Sequence, residues 1–423
     1  MRLHDPRPRA VLFNPRERPS ATSTDEAVAR SLEDRAAIRE GMLALAPVMD
    51  PIPLSAPWID EREADRVRAA LAGKLQGDGP FCRKVEGRLA ALLGVERVLL
   101  TTSCTHALEL ALLALGIGPG QEVICPSFTF VSTANAVLRV GAVPVFADVE
   151  EKTLGLDPAD VEAKLSPRTA ALLPVHYAGF APAMQTLLDL AERRRLRVVE
   201  DAAQGLCASY RGRPLGTLGD AGCFSFHETK NVTCGEGGAL VLRDPETTLR
   251  AEIMREKGTN RSAFLRGEVD KYTWVSEGSS YILSDVLAAI LDAQLDKLAE
   301  IQSRRAAVAR RYREGLTDWA ETRGVRLPFQ SAERRSNDHC FYLLFPDETA
   351  RDRALSALRA EGVLATFHYV PLHSAPHGRS LVGEVRLPVT ERVAGTLLRL
   401  PLHPLLAEAD VERVIHGVRR SLS

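Results

Sequence analysis

The sequence carries almost no net charge, since 54 lysines and arginines stand against 55 aspartates and glutamates among 423 residues. A chain without a surplus of either sign has no overall field that would draw it to nucleic acid or to an anionic membrane. Neither is therefore predicted as a partner. Any anionic ligand must be met by a local group of residues.

Cysteines are few and scattered, and long apolar runs are missing. The seven cysteines are odd in number and never spaced C-x-x-C, which argues against a disulfide framework and against a zinc site. No run approaches the roughly 20 apolar residues of a membrane span, and the N-terminus lacks the apolar core of a secretory signal. We therefore expect a cytoplasmic protein with no metal site.

Two common nucleotide-binding motifs are also missing. No G-x-x-x-x-G-K-[ST] segment occurs, and the glycine-rich segment 116–120 carries Pro119 where a dinucleotide fingerprint needs close backbone approach. The sequence therefore favours neither a P-loop protein nor an NAD-binding protein.

What is present is the composition of an ordinary globular protein, with 45% hydrophobic and 26% charged residues. The length suffices for two domains. Residues 1–50 differ from the rest, because an Arg- and Pro-rich start precedes an amphipathic helical pattern at 25–45, and we interpret them as an N-terminal extension. We expect a large domain over 51–290, then a linking helix and a small C-terminal domain over 291–423.

Short apolar runs alternate with turns and helical patterns from residue 98 to about residue 242. The runs lie at 98–100, 122–125, 143–146, 170–175 and 196–199. This alternation predicts an α/β fold with a mainly parallel sheet covered by helices on both faces. Ligands of such sheets gather at the carboxyl ends of the strands, where Asp201, His176 and the turn at 103–105 are all expected.

One lysine and one aspartate carry the chemical argument. Lys230 lies between the apolar run 224–226 and a Gly-rich turn, and Asp201 ends the run before it. A surface lysine and a helix N-cap aspartate are the ordinary explanations for either residue alone. Together they predict pyridoxal phosphate (PLP), with Lys230 as the Schiff-base and proton-shuttling amine and Asp201 beside the pyridine nitrogen.

Further residues are candidates for holding the same cofactor. Ser103, Cys104 and Thr105 follow a strand and open a helix, which suits a phosphate, although simple helix capping explains them equally well. Ser225 is a candidate hydroxyl for the phosphate. Phe130 is predicted to lie against the ring in preference to Phe128, and core packing is the alternative for either.

Several blocks of the sequence together resemble the DegT/DnrJ/EryC1/StrS family of sugar-nucleotide aminotransferases. Within that family they are most similar to the transaminases that form dTDP-4-amino-4,6-dideoxygalactose. The resemblance runs from about residue 52 to the C-terminus, with blocks at 102–109, 126–136, 175–179, 200–205, 256–262, 269–274 and 278–281.

The resemblance implies the type I, aspartate aminotransferase fold of PLP enzymes, with a seven-stranded sheet, and a homodimer whose active sites lie at the subunit interface. It implies ping-pong amino transfer from glutamate to C4 of a dTDP-4-dehydro-6-deoxy-hexose. Gln204 becomes a candidate hydrogen-bond partner of the cofactor's phenolic oxygen. Related sugar 3-dehydratases carry histidine at the lysine position, so Lys230 argues against that reaction.

Three positions depart from the pattern of many family members. Cys104 stands where many have glycine, so the phosphate turn must form without glycine's freedom. Ser280 and Ile282 stand where many have an asparagine and an arginine, and the asparagine reaches the phosphate from the partner subunit. The Ser280 hydroxyl is the candidate substitute for that contact.

The nucleotide sugar has its own candidate residues. Arg261, Lys271 and Trp274 lie in a segment that a dimer can bring over the neighbouring site, with the cations facing pyrophosphate; solvated surface charges are the alternative. The candidates for the sugar pocket, each with a structural role as its alternative, are His176, Tyr177, His227, His368 and His373.

Two other functions stay open at this point. One is amination of a C3 ketosugar, or of a sugar on another nucleotide. The other is a catalytically silent regulator that keeps the fold and binds PLP or a nucleotide sugar. The sequence also leaves open the configuration of the new amine and the pathway, which can lead to a surface polysaccharide or to an antibiotic.

Overall fold

The computed structural model describes residues 50–73 and 75–422. The predicted N-terminal extension, with its expected helix, lies outside the described residues apart from Asp50. The unit considered below is Ile52–Ser423. Within the described ranges, no helix is both long enough and apolar enough to cross a membrane.

The strands form one large sheet and two small ones. They are β1 (Val98–Thr101), β2 (Glu122–Pro126), β3 (Val143–Ala147), β4 (Thr169–Leu172), β5 (Arg197–Asp201), β6 (Ser209–Tyr210), β7 (Arg213–Pro214), β8 (Ala221–Ser225), β9 (Gly238–Leu242), β10 (Arg334–Arg335), β11 (Phe341–Leu344) and β12 (Leu397–Leu400). The large sheet has the order β1-β9-β8-β5-β4-β2-β3. Its strands β3, β2, β4, β5 and β8 are parallel neighbours, whereas β9 is antiparallel to both β1 and β8. The predicted α/β fold with a mainly parallel seven-stranded sheet is confirmed.

The α-helices of the described ranges surround this sheet and fill the C-terminal part. They are α1 (Glu61–Leu71), α2 (Pro80–Leu93), α3 (Cys104–Ala114), α4 (Val131–Arg139), α5 (Pro158–Ala163), α6 (Met184–Arg194), α7 (Pro245–Arg255), α8 (Arg261–Leu265), α9 (Asp285–Asp296), α10 (Leu298–Arg323), α11 (Glu348–Ala360), α12 (Pro376–Val382), α13 (Pro388–Thr396) and α14 (Glu408–Arg420). Successive side chains of β1 pack on opposite faces of the sheet. Leu99 lies in an apolar cluster with α3 residues, whereas Val98 and Leu100 lie in another cluster with α2 residues. The sheet is therefore buried on both faces, as a parallel sheet requires.

The helical pattern predicted from residue 284 onward consists of two helices. α9 and α10 meet at Lys297, whose side chain is fully enclosed. Its ammonium lies 2.7 Å from Glu63 Oε1 and donates to the Trp58 carbonyl at 2.8 Å. A buried ammonium needs such partners, and they fix the junction between the helices.

The C-terminal part has an apolar cluster of its own. β11 and β12 form an antiparallel pair, and their residues pack with α10, α11 and α14 and with Ile52. Another cluster joins Tyr342 and Leu397 of this part to Phe128 and Tyr177 of the part that holds the large sheet. The predicted division at residue 290 stays a prediction.

Candidate functional site

Asp201 ends β5 at the carboxyl edge of the large sheet, and it is buried. Its Oδ2 accepts a hydrogen bond of 2.8 Å from Thr133 Oγ1, and Thr133 in turn lies 2.8 Å from Thr129 Oγ1. Its Oδ1 accepts a weaker bond of 3.2 Å from the Ala203 amide. The carboxylate is held in one orientation by hydroxyl and amide donors.

Helix α3 begins beside this edge, at the end of the turn after β1. Its N-cap residue Ser103 accepts from the His106 amide through its hydroxyl and from the Ala107 amide through its carbonyl. The amides of Cys104 and Thr105 therefore remain for an external acceptor, at the positive end of the helix dipole. This geometry suits a phosphate.

Lys230 lies in the loop between β8 and β9, part-buried, and its amide donates to the His227 carbonyl at 2.9 Å. Burial lowers the pKa of Lys230. The charges of Cys104 and Asp201 oppose this shift, whereas the charge of Arg399 adds to it. Burial also raises the pKa of the Cys104 thiol well above its usual range, with Asp201 adding to the rise. The site therefore favours a neutral thiol and a readily deprotonated lysine.

A small cavity connects several of the predicted residues, with Lys230, Ser225 and Gln204 in its lining together with His339. Gln204 uses both ends of its amide, because Oε1 accepts from the Ala178 amide at 2.7 Å and Nε2 donates to Tyr369 Oη at 3.2 Å. Gln204 thus ties the edge of β5 to the C-terminal part of the chain.

The two aromatic candidates have opposite surroundings. Phe128 is fully buried and packs edge-on against Tyr177 and Tyr369. Phe130 is the N-cap residue of α4 and is 59% exposed. Of the two, Phe130 has the face that is free to meet a ligand.

The histidine candidates fall into different environments. His176 is fully enclosed, with Nε2 at 2.7 Å from Glu200, which also accepts three backbone amides of residues 216–219. His373 is buried between Ser127 Oγ, at 2.7 Å, and Glu391, at 3.3 Å. Both have the contacts of structural histidines. His368, in contrast, is part-buried and lies 3.3 Å from Tyr177 Oη, near the lysine.

The candidates for the nucleotide lie on the surface. Trp274 is 76% exposed and Lys271 is exposed, while Arg261 donates to Glu256 Oε1 at 2.6 Å. None of the three is among the described residues that line the cavity of Lys230. His227 is part-exposed beside Thr229 and Glu236, and Ser280 is exposed. The single chain thus does not bring Arg261, Lys271 or Trp274 into the lining of this cavity.

Two residues of the site were not predicted from the sequence. Thr133 bonds Asp201 directly, and its signal is a hydroxyl one helical turn after Thr129. Arg399 interacts electrostatically with Lys230, and its signal is a lone charge within the apolar strand β12. Both signals are visible in the sequence, but nothing there shows which face of each element meets the site.

Comparisons with known proteins agree with this geometry. The model of the DegT/DnrJ/EryC1/StrS aminotransferase family matches residues 57–419. The chain is 36% identical over 377 residues to the spore coat polysaccharide biosynthesis protein SpsC of Bacillus subtilis, an alignment that covers 87% of this chain and 96% of SpsC.

Solved structures give the same result. The aminotransferase TlmJ of Streptoalloteichus hindustanus superposes with a TM-score of 0.81 at 36% identity, covering 88% of this chain and 99% of TlmJ. The putative sugar aminotransferase Spr1654 of Streptococcus pneumoniae, in its PLP form, superposes with a TM-score of 0.81 at 26% identity, covering 88% of this chain and 98% of Spr1654.

The residues of this chain fit PLP. A buried carboxylate, Asp201, matches a protonated pyridine nitrogen, the amides of Cys104 and Thr105 match a phosphate, and Lys230 supplies an amine with a lowered pKa. These are the amine, the carboxylate and the anion site that a PLP enzyme requires.

Proposed function

Because this chain belongs to the DegT/DnrJ/EryC1/StrS aminotransferase family, and is a sugar aminotransferase that uses PLP, we propose that it transfers the amino group of glutamate to C4 of a dTDP-4-dehydro-6-deoxy-hexose. The product is then a dTDP-4-amino-4,6-dideoxyhexose. Support for the acceptor comes from the sequence blocks of the transaminases that form dTDP-4-amino-4,6-dideoxygalactose.

The observation that carries the proposal is the meeting of Lys230 and Asp201 at one buried edge. Asp201 of β5 pairs in register with Cys223 of β8, and β8 leads directly into the loop that holds Lys230. Asp201 is therefore positioned by β5 itself, and Lys230 by the loop that begins at the end of the neighbouring strand β8. Rigid placement of this kind is what proton transfer to a single carbon requires.

The chemistry divides between the cofactor and the chain. When bound, PLP supplies an electron sink for the bond that breaks at the amino-bearing carbon. Asp201, oriented by Thr133, keeps a proton on the ring nitrogen. Lys230, with its lowered pKa, accepts and returns a proton at the carbon that gains or loses the amine. The start of α3 holds the phosphate.

The remaining cofactor and sugar contacts are part of the same proposal. Ser225 adds a hydroxyl to the phosphate, Gln204 lies at the phenolic oxygen, and Phe130 covers the ring. Tyr177 and His368, which face each other at 3.3 Å, line the sugar pocket. His227 lies at its entrance.

We further propose a homodimer in which each subunit completes the site of the other. The exposed segment that follows α8 carries large apolar side chains, with Trp274 76% and Val275 51% exposed. A partner that covers this segment buries apolar area and brings Arg261 and Lys271 toward the pyrophosphate. The division into a large domain over 51–290 and a small domain over 291–423 belongs to the same proposal.

The test is an assay of the purified protein with PLP, glutamate and a panel of dTDP- and UDP-linked 3- and 4-ketohexoses. We expect 2-oxoglutarate and an amine at C4 of the dTDP-linked 4-keto sugar, with the configuration read by NMR. Amination at C3, or preference for a UDP-sugar, would contradict the acceptor, and no 2-oxoglutarate with any sugar would favour a silent binding protein.

The lysine has its own control in this assay. Lys230→Ala should abolish amino transfer and remove the visible absorption band of the PLP-loaded protein, because the amine is lost. Lys152→Ala, a change at an exposed lysine, should leave both unchanged. An intact band in the Lys230 variant would show that another residue holds the cofactor.

A further inference from the structure

Lys230 shares its small cavity with several amide side chains, a hydroxyl and one histidine. The polar residues of the lining, besides the lysine, are Gln204, Ser225, Asn231, Asn337 and His339. When Lys230 carries a proton, its buried ammonium needs a hydrogen-bond acceptor. The side chain that can supply this acceptor is the one whose lone pairs are not already in use.

Two of the amide side chains and the hydroxyl are already engaged. Gln204 uses both ends of its amide. Asn337 Nδ2 donates to the carbonyls of residues 204 and 206 at 2.8 and 2.7 Å, and its Oδ1 accepts from the His339 amide at 3.1 Å. Ser225 is assigned above to the phosphate. Asn231 and the ring of His339 therefore remain to be considered.

Asn231, the residue after the lysine, determines where the proton lies on the His339 ring. Its Nδ2 donates to Gln302 Oε1 at 3.1 Å and to the Asn337 carbonyl at 3.0 Å. Its Oδ1 is therefore the atom that faces His339 Nδ1, at 3.0 Å. Because an amide oxygen can only accept, Nδ1 carries the hydrogen, and Nε2 of the neutral ring is an acceptor.

The His339 ring is neutral and is held in place. Burial lowers the pKa of His339 well below its usual value, and the nearby groups that lower it further are Lys230, Arg399, Arg305 and His368. Arg305 of α10 also donates to the His339 carbonyl at 2.5 Å, which fixes the backbone of this residue. Nε2 has no hydrogen-bond partner among the residues that the structure describes. His339 thus offers a free lone pair beside Lys230.

We propose that His339 is a positioning residue, whose Nε2 accepts a hydrogen bond from the Lys230 amine whenever that amine is not bound to the cofactor. The inference rests on the proposed function, in which Lys230 is the catalytic amine. The amine is free while the amino group resides on the cofactor, and it must then stay within reach of the carbon that exchanges a proton. Because the His339 ring is neutral, it orients the amine without adding a charge.

The first test uses the protein without cofactor, with Lys230 acetylated by acetic anhydride over a range of pH and the modified peptide measured by mass spectrometry. His339→Asn keeps an amide nitrogen near the place of Nδ1, so it can still donate to Asn231, but it removes the acceptor at Nε2. The midpoint of acetylation should fall by about one pH unit, because an acceptor that stabilises the charged lysine is lost. The other groups that act on the pKa of Lys230 are unchanged in this variant, and they are Cys104, Asp201, Arg399 and Cys340.

The controls and a second measurement separate positioning from packing. His339→Gln carries an amide oxygen that reaches the place of Nε2, and it should restore part of the shift. His416→Asn, at an exposed position of α14, should resemble the wild type. When PLP-loaded protein is mixed with glutamate alone, His339→Asn should lower the limiting rate of loss of the visible absorption band by about tenfold. The glutamate concentration at half the limiting rate should stay unchanged, because His339 holds the lysine and not the amino acid.

The outcomes distinguish this inference from the proposed function. An acetylation midpoint that stays or rises in His339→Asn, or an equal fall in His339→Gln, would overturn the positioning role. If melting temperatures show that His339→Asn is unfolded, Asn231→Leu carries the test, because it frees the ring proton to move to Nε2 and should also lower the midpoint. Failure of every dTDP-sugar, or of glutamate as donor, would overturn the proposed function and leave the acetylation result intact, since that measurement contains neither.

Discussion

Asp201 shows how one residue depends on another that contributes no charge. The Thr133 hydroxyl donates to its Oδ2 at 2.8 Å in a fully buried position. A hydrogen bond to a charged group in such a place contributes about 1.5–3 kcal/mol. The threonine therefore determines both the direction of the carboxylate and its readiness to hold a proton on the cofactor ring.

Thr133→Val should weaken PLP binding by about tenfold or more, since each 1.4 kcal/mol is a factor of ten. The dissociation constant is measured by titrating PLP into the apoprotein and following fluorescence. Thr133→Ser keeps the hydroxyl and should stay near the wild type. Thr317→Val, which removes a hydroxyl bonded to a helix carbonyl, is the matched control, and an equal loss there would contradict the argument.

Some residues of the candidate site could be predicted from the sequence, and others could not. Lys230, Ser225 and Gln204 line one cavity, and Asp201 lies at the strand end where the apolar run predicted it. His176 and His373 instead have enclosed partners, because a histidine's role depends on contacts from distant segments. Arg399 was missed for the same reason.

Among the elements, the close approach of β9 to the start of α3 determines which residue can stand at position 238. A Cβ on Gly238, the first residue of β9, would overlap the backbone of Ser103 and Cys104. A glycine is therefore required at position 238 by the turn at the start of α3, and not by the Gly-rich turn 235–238 in which the sequence places it.

Gly238→Ala should displace the start of α3, because overlap with backbone cannot be relieved by a side-chain rotation. We expect a cost of about 1–3 kcal/mol, seen as a lower free energy of unfolding in urea and as weaker PLP binding. Gly87→Ala in α2, where the added Cβ meets nothing within 4 Å, should lose neither property. Normal PLP binding by the Gly238 variant would show that the turn is adaptable.

Element boundaries followed the sequence where apolar runs were simple. β1, β2, β3 and β5 lie within a residue or two of the predicted runs, because most residues of each run are buried in the sheet. The continuous helical pattern predicted after residue 284 is divided into two helices at Lys297, whose buried ammonium pairs with Glu63. Ion pairs between distant segments leave no periodic signal.

At the scale of the whole molecule, the exposed segment around Trp274 is the feature that a single chain does not explain. If it completes the site of a second subunit, two defective proteins should complement each other. A dimer of one Lys230→Ala subunit and one Trp274→Ala subunit then has one intact site.

Mixing Lys230→Ala protein with Trp274→Ala protein, after subunit exchange, should restore about a quarter of the wild-type sites, since half the dimers are mixed and each has one good site. The measurement is amino transfer compared with each protein alone. Lys230→Ala/Trp274→Ala double-variant protein mixed with Lys230→Ala protein has no intact site and is the control. Activity no greater than the sum of the separate proteins would contradict a shared site.

The sheet has one further consequence. Thr101 of β1, Gly238 of β9 and Ser225 of β8 pair in a single row, so one strand separates the chain that enters the α3 turn from the chain that enters the Lys230 loop. Two strand spacings make about 10 Å. β9 therefore fixes the separation between the chain segment that leads into the anion site and the segment that leads into the Lys230 loop, and this separation cannot change without breaking hydrogen bonds of the sheet.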